Sequence, residues 1–178
     1  MKKTVIETDR LYLREMDTDD FEALYAVLAD RENMRYYKNQ FAEENVKGWI
    51  EWCMNCYRDY GFGLWAVCLK ENDEMIGDCG LSMQDIDDRL LPEIGFHIRR
   101  DLHHKGYAKE AAAAARDWVF TKRDFQALYS YCSSDNTASY KTAESIGMHF
   151  EKEYTDKYGS VHHVSMISRE DWRKNYGK

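Results

Sequence analysis

The chain has 178 residues, about the length of one domain, and 44% of them are hydrophobic and 14% aromatic, a globular rather than a disordered composition. A net charge of −7 and a pI near 5.4 argue against a nucleic-acid partner and leave room for a cationic substrate. No apolar run approaches the roughly 20 residues of a membrane span, and the basic start is not followed by the apolar core of a signal peptide.

The five cysteines lie at positions 53, 56, 68, 79 and 132. Cys53 and Cys56 form a C-x-x-C, but no second pair completes a zinc site. Both fall in an apolar helical pattern, so they are expected to be reduced core thiols in a cytoplasmic protein. No low-complexity segment, internal repeat or linker marks a boundary, and residues 1–178 are expected to form a single domain, monomeric or homodimeric, without a bound metal.

In chain order, "RLYLRE" alternates Leu11 and Leu13 with Tyr12 and Arg14, the pattern of a half-buried strand. "DTDDFEALYAVLAD" opens on capping residues and carries Phe21, Leu24, Tyr25 and Leu28 at helical spacing. Residues 43 to 60 repeat that pattern with Val46, Trp49, Ile50, Cys53 and Tyr57. "FGLWAVCLK", "EMIGDCGLSMQDI" and "LPEIGFHI" are three strands joined by polar turns. The alanine run of residues 111–115 belongs to a helix, "ALYSYCSS" to a strand, and "DNTASYKTAESIG" to a capped helix ending at glycine. Two strands close the chain. The order β-α-α-β-β-β-α-β-α-β-β predicts an α/β (α+β) fold: a mixed, mostly antiparallel sheet of about seven strands with helices on both faces.

The most informative junction is "RRDLHHKGYAKEAAAAARDWV". A strand, a short glycine-bearing loop and a helix N-terminus together can hold a phosphate, because the first helical N–H groups are unpaired and the macrodipole is positive there. Gly106 permits close backbone approach, and Lys105 and Lys109 add charge. Ala108, Ala111, Ala112 and Ala115 place small side chains on one stripe, so the helix can lie close to a sheet. A phosphate-binding G-x-x-x-x-G-K-[ST] is absent, and only one glycine of a dinucleotide G-x-G-x-x-G is present.

With those residues in view, "HHKGYA" resembles the (Q/R)-x-x-G-x-(G/A) signature of the GNAT superfamily of acetyl-CoA-dependent N-acetyltransferases. "TDRLYLREMDTDDFEAL", "GFGLWAVCLKENDEMIGDCGL", "PEIGFHI", "KGYAKEA" and "NTASYKTAESIGM", in that order, are similar to its Rim-type branch, which includes ribosomal-protein alanine N-acetyltransferases. The resemblance runs from about Thr8 to about Ser168. It implies that His104, Lys105, Gly106, Tyr107, Ala108 and Lys109 present backbone N–H groups to the coenzyme A pyrophosphate. Phe96, His97 and Ile98 would lie along the pantetheine arm, and a backbone N–H there would polarise the thioester carbonyl. Asn136 matches the pantetheine-contacting asparagine, and Ser139 a serine near the thioester sulfur. Two positions depart from the pattern. Ala143 stands where many members carry the tyrosine that protonates the leaving thiolate, and His104 stands where the branch usually has glycine.

Acetyl transfer to an amine requires a neutral nucleophile, a stabilised carbonyl oxygen and a leaving thiolate. Glu93 and Asp78 are the candidate bases, with Glu93 preferred because it shares a strand face with His97; the alternative for each is an ordinary solvated or ion-paired carboxylate. His97 has the titration range of a proton relay, although strand histidines commonly serve packing. His103 and His104 are adjacent on a loop and have no metal-ligand spacing, while His162 and His163 are expected to be structural. Tyr36 and Tyr37, on a connecting loop, are candidates for an acceptor site; Trp49, Trp52, Tyr57 and Phe62 are expected mainly to pack the core. The expected activity is acetylation of a primary amine in a protein N-terminus or a small molecule, by direct transfer. The alternative, motivated by Ala143, is a non-catalytic acyl-CoA-binding sensor.

Overall fold

The computed structural model describes residues 2–38 and 41–177. Its strands are β1 (Thr4–Glu7), β2 (Leu11–Arg14), β3 (Leu64–Leu69), β4 (Met75–Asp85), β5 (Leu90–Ile98), β6 (Ala127–Ser133), β7 (His149–Thr155) and β8 (Val161–Ser168). Its α-helices are α1 (Phe21–Leu28), α2 (Glu43–Tyr60), α3 (Tyr107–Lys122), α4 (Thr137–Ser145) and α5 (Arg169–Asn175). The strands form one sheet in the order β1-β2-β3-β4-β5-β6-β8-β7. Every neighbouring pair is antiparallel except β5 and β6, which run parallel.

Helices cover both faces, as the alternation of the strands requires. One core packs the alanine stripe of α3 (Ala111, Ala112 and Ala115, all fully buried) with Cys79, Leu81, Ile94, Ile98 and Leu128. On the opposite face, Leu24 and Leu28 of α1 and Val46, Ile50 and Cys53 of α2 pack with Leu64, Ala66 and Cys68 of β3. β3 is therefore buried on both sides, which is why it reads as a continuous apolar run. All five cysteines are free thiols.

The sheet has eight strands where the periodicity predicts about seven, and it has one further helix. β1 escapes a pattern search because it is four residues long and buries only Ile6. α5 is signalled by "SREDW": the Ser168 hydroxyl accepts from Asp171 N–H at 3.0 Å, and Trp172 stacks on Phe120 with ring centroids 5.2 Å apart. The capping residue and the lone aromatic carry that helix without a long apolar stripe.

The feature that positions a site is the parting of β5 from β6. Their ladder has a single rung, Glu93↔Tyr129, while β4 stays paired with β5 along its whole length. Arg99 N–H donates to Ile76 C=O at 2.8 Å, which makes Gly77↔Ile98 a non-hydrogen-bonded pair. By alternation, His97, Gly95 and Glu93 direct their backbone groups at β4, whereas Phe96 and Ile98 direct theirs toward the gap left by β6. Beyond the single rung, β5 thus presents an open edge inside the molecule.

Candidate active site

The loop after β5 passes through a short 3₁₀ turn, Arg100–Leu102, and reaches α3 by way of two left-handed residues, His104 (φ +62°) and Gly106 (φ +83°). The first α-helical bond runs from Glu110 N–H to Gly106 C=O at 3.0 Å. The N–H groups of Tyr107, Ala108 and Lys109 consequently have no partner within the helix. Lys105 and Lys109 are exposed. A Cβ on Gly106 would meet only the Arg10 guanidinium, at 3.4 Å, so what this position requires is the backbone conformation rather than space. His104 adopts the left-handed conformation without being glycine. His104→Gly is expected to leave stability unchanged or to raise it by up to about 1 kcal/mol, as read from urea unfolding.

The turn between β1 and β2 straps this loop down. Glu110 accepts from Thr8 Oγ1 (2.6 Å), Arg10 N–H (2.9 Å) and Arg10 Nε (2.7 Å). Arg10 Nη1 donates to the Lys105 carbonyl at 2.9 Å, and the guanidinium lies over the Tyr107 ring, 4.4 Å from its centroid. Although burial opposes the charged form, these donors hold the Glu110 carboxyl below its ordinary range. The link joins positions about a hundred residues apart, and no local pattern in the sequence reveals it.

His103, without an obvious role in the sequence, places Nε2 2.9 Å from the Ile98 carbonyl. A carbonyl only accepts, so that nitrogen carries the proton. Across the gap, α4 begins at Asn136, whose side chain accepts from Ser139 N–H at 3.2 Å. The Ser139 side chain lies beside the Cys132 thiol, which itself points at the Asn136 carbonyl. Ala143 is buried among Ile146 and Met148, so a tyrosine has no room at that position. Tyr140 stacks on His163 with ring centroids 4.4 Å apart and its hydroxyl bonds Thr137.

The face of β4 and β5 turned toward α2 carries the titratable groups. Ser82 and Glu93 are cross-strand partners, as are Asp78 and His97. Ser82 Oγ donates to Glu93 Oε2 at 3.0 Å. The Glu93 carboxylate leans over Gly95, where a Cβ would stand 3.1 Å from Oε2. Burial pushes Glu93 up to about 7, with Ser82 and His97 opposing the shift and Asp78 adding to it. Next to it, His97 Nδ1 is 2.7 Å from Asp78 Oδ1, and Asp78 Oδ2 accepts from Trp49 Nε1 at 2.8 Å. Tyr37 Oη lies 2.7 Å from His97 Nε2. Burial pulls His97 down, but the two carboxylates outweigh it and leave the imidazole above its ordinary range. Both oxygens of Asp78 are engaged, which removes it as a candidate base and makes it the ion-paired carboxylate of the two alternatives.

The other aromatic candidates separate. Trp49 does more than pack, since it binds Asp78 and sets its ring edge-on to His97. Trp52 packs against Trp49. Tyr57 donates to the Leu64 carbonyl and accepts from Met16 N–H, a structural role, and Phe62 belongs to the α3-side core. Of the loop tyrosines, Tyr37 joins the cluster while Tyr36 pairs with Arg35. His162 bonds Asp156 at 3.1 Å and stacks on Tyr154, and His163 stacks under Tyr140; both are structural. Among the described residues no group of three or more His, Cys, Asp or Glu side chains gathers as a metal site. None of the described helices is long and apolar enough to cross a membrane.

Residues 10–149 match the family model described as Acetyltransferase (GNAT) domain. The chain is 35% identical over 151 residues to the uncharacterized protein YkkB of Bacillus subtilis, covering 84% of this chain and 88% of that one. It superimposes on an acetyltransferase (GNAT family) from Bacillus anthracis with a TM-score of 0.80 and 24% identity, over 94% of this chain and 99% of that one. The ribosomal-protein-S5-alanine acetyltransferase of Vibrio fischeri shares the fold with a TM-score of 0.75 and 16% identity, over 96% of this chain and 98% of that one. The chain belongs to the GNAT acetyltransferase family.

Proposed function

We propose that the protein is an N-acetyltransferase that moves the acetyl group of acetyl-CoA directly to a primary amine, in a protein N-terminus or a small molecule, as one cytoplasmic domain spanning residues 1–178. Glu93 carries this proposal: a buried carboxylate pushed up to about 7, seated at the last rung before β5 and β6 part. A base with that value takes a proton from an ammonium near neutral pH far more readily than an ordinary carboxylate. Its action requires the ionised form, so activity falls as pH drops through about 7.

The residues present fit the coenzyme. The free N–H groups of Tyr107, Ala108 and Lys109, reached through His104, Lys105 and Gly106, suit a pyrophosphate, and the open edge at Phe96 and Ile98 suits an extended amide-bearing arm. The coenzyme supplies an activated acetyl thioester. The backbone N–H of Phe96 or of Ile98, which face the gap, would polarise its carbonyl, with Asn136 beside the arm. Ser139 is the group we assign to return a proton to the thiolate, since Ala143 and Tyr140 do not serve.

The test is thiol release from acetyl-CoA across a panel of primary amines: N-terminal peptides, a polyamine and an amino sugar. Release with at least one amine supports the proposal. Tight acetyl-CoA binding without turnover on any amine would make the protein a sensor instead. The strap on the coenzyme loop adds a second expectation. Arg10→Ala removes the tie to Lys105 and the guanidinium's tie to Glu110, leaving those of Thr8 Oγ1 and the residue-10 backbone N–H, and should raise the KM for acetyl-CoA about tenfold, the equivalent of about 1.4 kcal/mol. Saturating acetyl-CoA should restore kcat. A lowered kcat at an unchanged KM would contradict that role.

A further inference from the structure

Glu93 cannot account for all the protons that the proposed reaction moves. Between an ammonium acceptor and its amide product, two protons leave the nitrogen as the C–N bond forms and the C–S bond breaks. The thiolate takes up one of them and the other goes to solvent; nothing is oxidised or reduced. A single buried carboxylate holds one proton at a time.

The unassigned group beside it is His97. Asp78 is fully buried, and His97 keeps only 11% of its side chain exposed. A carboxylate only accepts, so the Asp78 bond places the proton on Nδ1 and leaves the Nε2 lone pair free in the neutral ring. That lone pair points at the hydroxyl of Tyr37, 2.7 Å away, a residue that is nearly half exposed. Trp49, by donating to the other Asp78 oxygen, keeps the carboxylate in line. An oriented imidazole, a buried carboxylate behind it and a displaceable hydroxyl in front are the parts of a proton acceptor.

Resting on the acetyl-transfer proposal above, we infer that His97 is a second catalytic residue of this site. Its Nε2 takes one of the two protons that leave the acceptor nitrogen. Asp78 is the positioning residue that fixes the tautomer, and the Tyr37 hydroxyl occupies the place of an acceptor N–H. The groups facing His97 are Asp78 from β4, Glu93 from β5 and Tyr37 from the α1–α2 connection. α2 contributes the Trp49 ring and, against Asp78, the Cys53 thiol; Tyr131 of β6 faces Glu93. Because Glu93 and His97 influence each other, they titrate as a pair.

The experiment is the pH dependence of kcat/KM for an accepted amine at saturating acetyl-CoA, followed by thiol release. In the wild type both groups must be unprotonated, so the acid limb should fall with a slope approaching about two. His97→Gln should lower kcat by about 100-fold and reduce the limb to a single ionisation, with coenzyme binding retained in calorimetry. Asp78→Asn should move the limb to lower pH, because the imidazole loses the carboxylate that holds it up. Tyr37→Phe keeps imidazole and carboxylate and should keep the two-group limb. A His97→Gln enzyme with the wild-type limb and kcat overturns the inference. Should that variant fail to fold, an acid limb unmoved by Asp78→Asn overturns it equally. If the wild type releases no thiol with any of the amines, the acetyl-transfer proposal falls as well; if it turns over and only the variant results fail, the assignment of His97 alone falls.

Discussion

Glu93→Gln is expected to lower kcat by a factor on the order of 10²–10⁴, the contribution of a positioned proton-transfer group, while leaving acetyl-CoA affinity near the wild-type value. Glutamine keeps the shape of the side chain, and its carbonyl oxygen can still accept from Ser82 Oγ, which donates to Glu93 at 3.0 Å. The sign of the stability effect separates catalysis from folding. Burial raises Glu93 from its ordinary value to about 7. Relative to the unfolded chain the folded state therefore loses stability as pH rises toward and through 7, where the carboxylate must ionise against its surroundings. At pH 8 the glutamine variant is spared that cost and should melt at the same temperature as the wild type or higher. Thiol-release kinetics paired with thermal melts check both halves. A variant retaining wild-type kcat would remove Glu93 from the mechanism.

Gly106→Val should have the second large effect, on binding. Gly106 is left-handed at φ +83°, a region that costs an ordinary L-residue about 1–2 kcal/mol and suits a β-branched one least. Open space around the position does not help, because the strain lies in the backbone. To escape it the loop must turn, and the free N–H groups of Tyr107, Ala108 and Lys109 lose their common direction. Acetyl-CoA affinity by calorimetry should fall about 10- to 100-fold, following from tenfold per 1.4 kcal/mol. His103→Ala is the contrast. It frees the Ile98 carbonyl but leaves both left-handed residues in place, so only a mild loss is expected. Equal losses in the two variants would show that the histidine side chain, rather than the backbone, does the holding.

How far the sequence carried these conclusions differs from part to part. α2 runs from Glu43 to Tyr60, as its apolar spacing predicts, and Gly61 stops it in a left-handed turn. Glu93, Gly95 and His97 fall on one face by simple alternation, which was enough to nominate Glu93. The carboxylate choice was not settled there. Asp78 and Glu93 look alike in sequence, and only the register of β4 against β5 hands Asp78 to His97 and Glu93 to Ser82. Tyr57, Phe62 and Trp49 look alike as aromatics at related spacing, yet the three serve a backbone carbonyl, the opposite core and a buried carboxylate. His103 resembles its neighbour His104 in the sequence, yet in the structure one donates to the Ile98 carbonyl and the other takes a left-handed backbone conformation.

The sequence by itself determined most of the elements, β1 and α5 apart, together with the alanine stripe and the glycine-bearing helix start. Each of these depends on residues close together in the chain, where periodicity and conformational preference act. Tertiary structure alone decided the parting of β5 from β6, the Arg10–Glu110 strap across about a hundred residues and the Tyr37–His97–Asp78–Trp49 chain. Those contacts depend on which elements become neighbours and in what register, and a one-residue slip of β5 would turn Glu93 and His97 to the other face of the sheet.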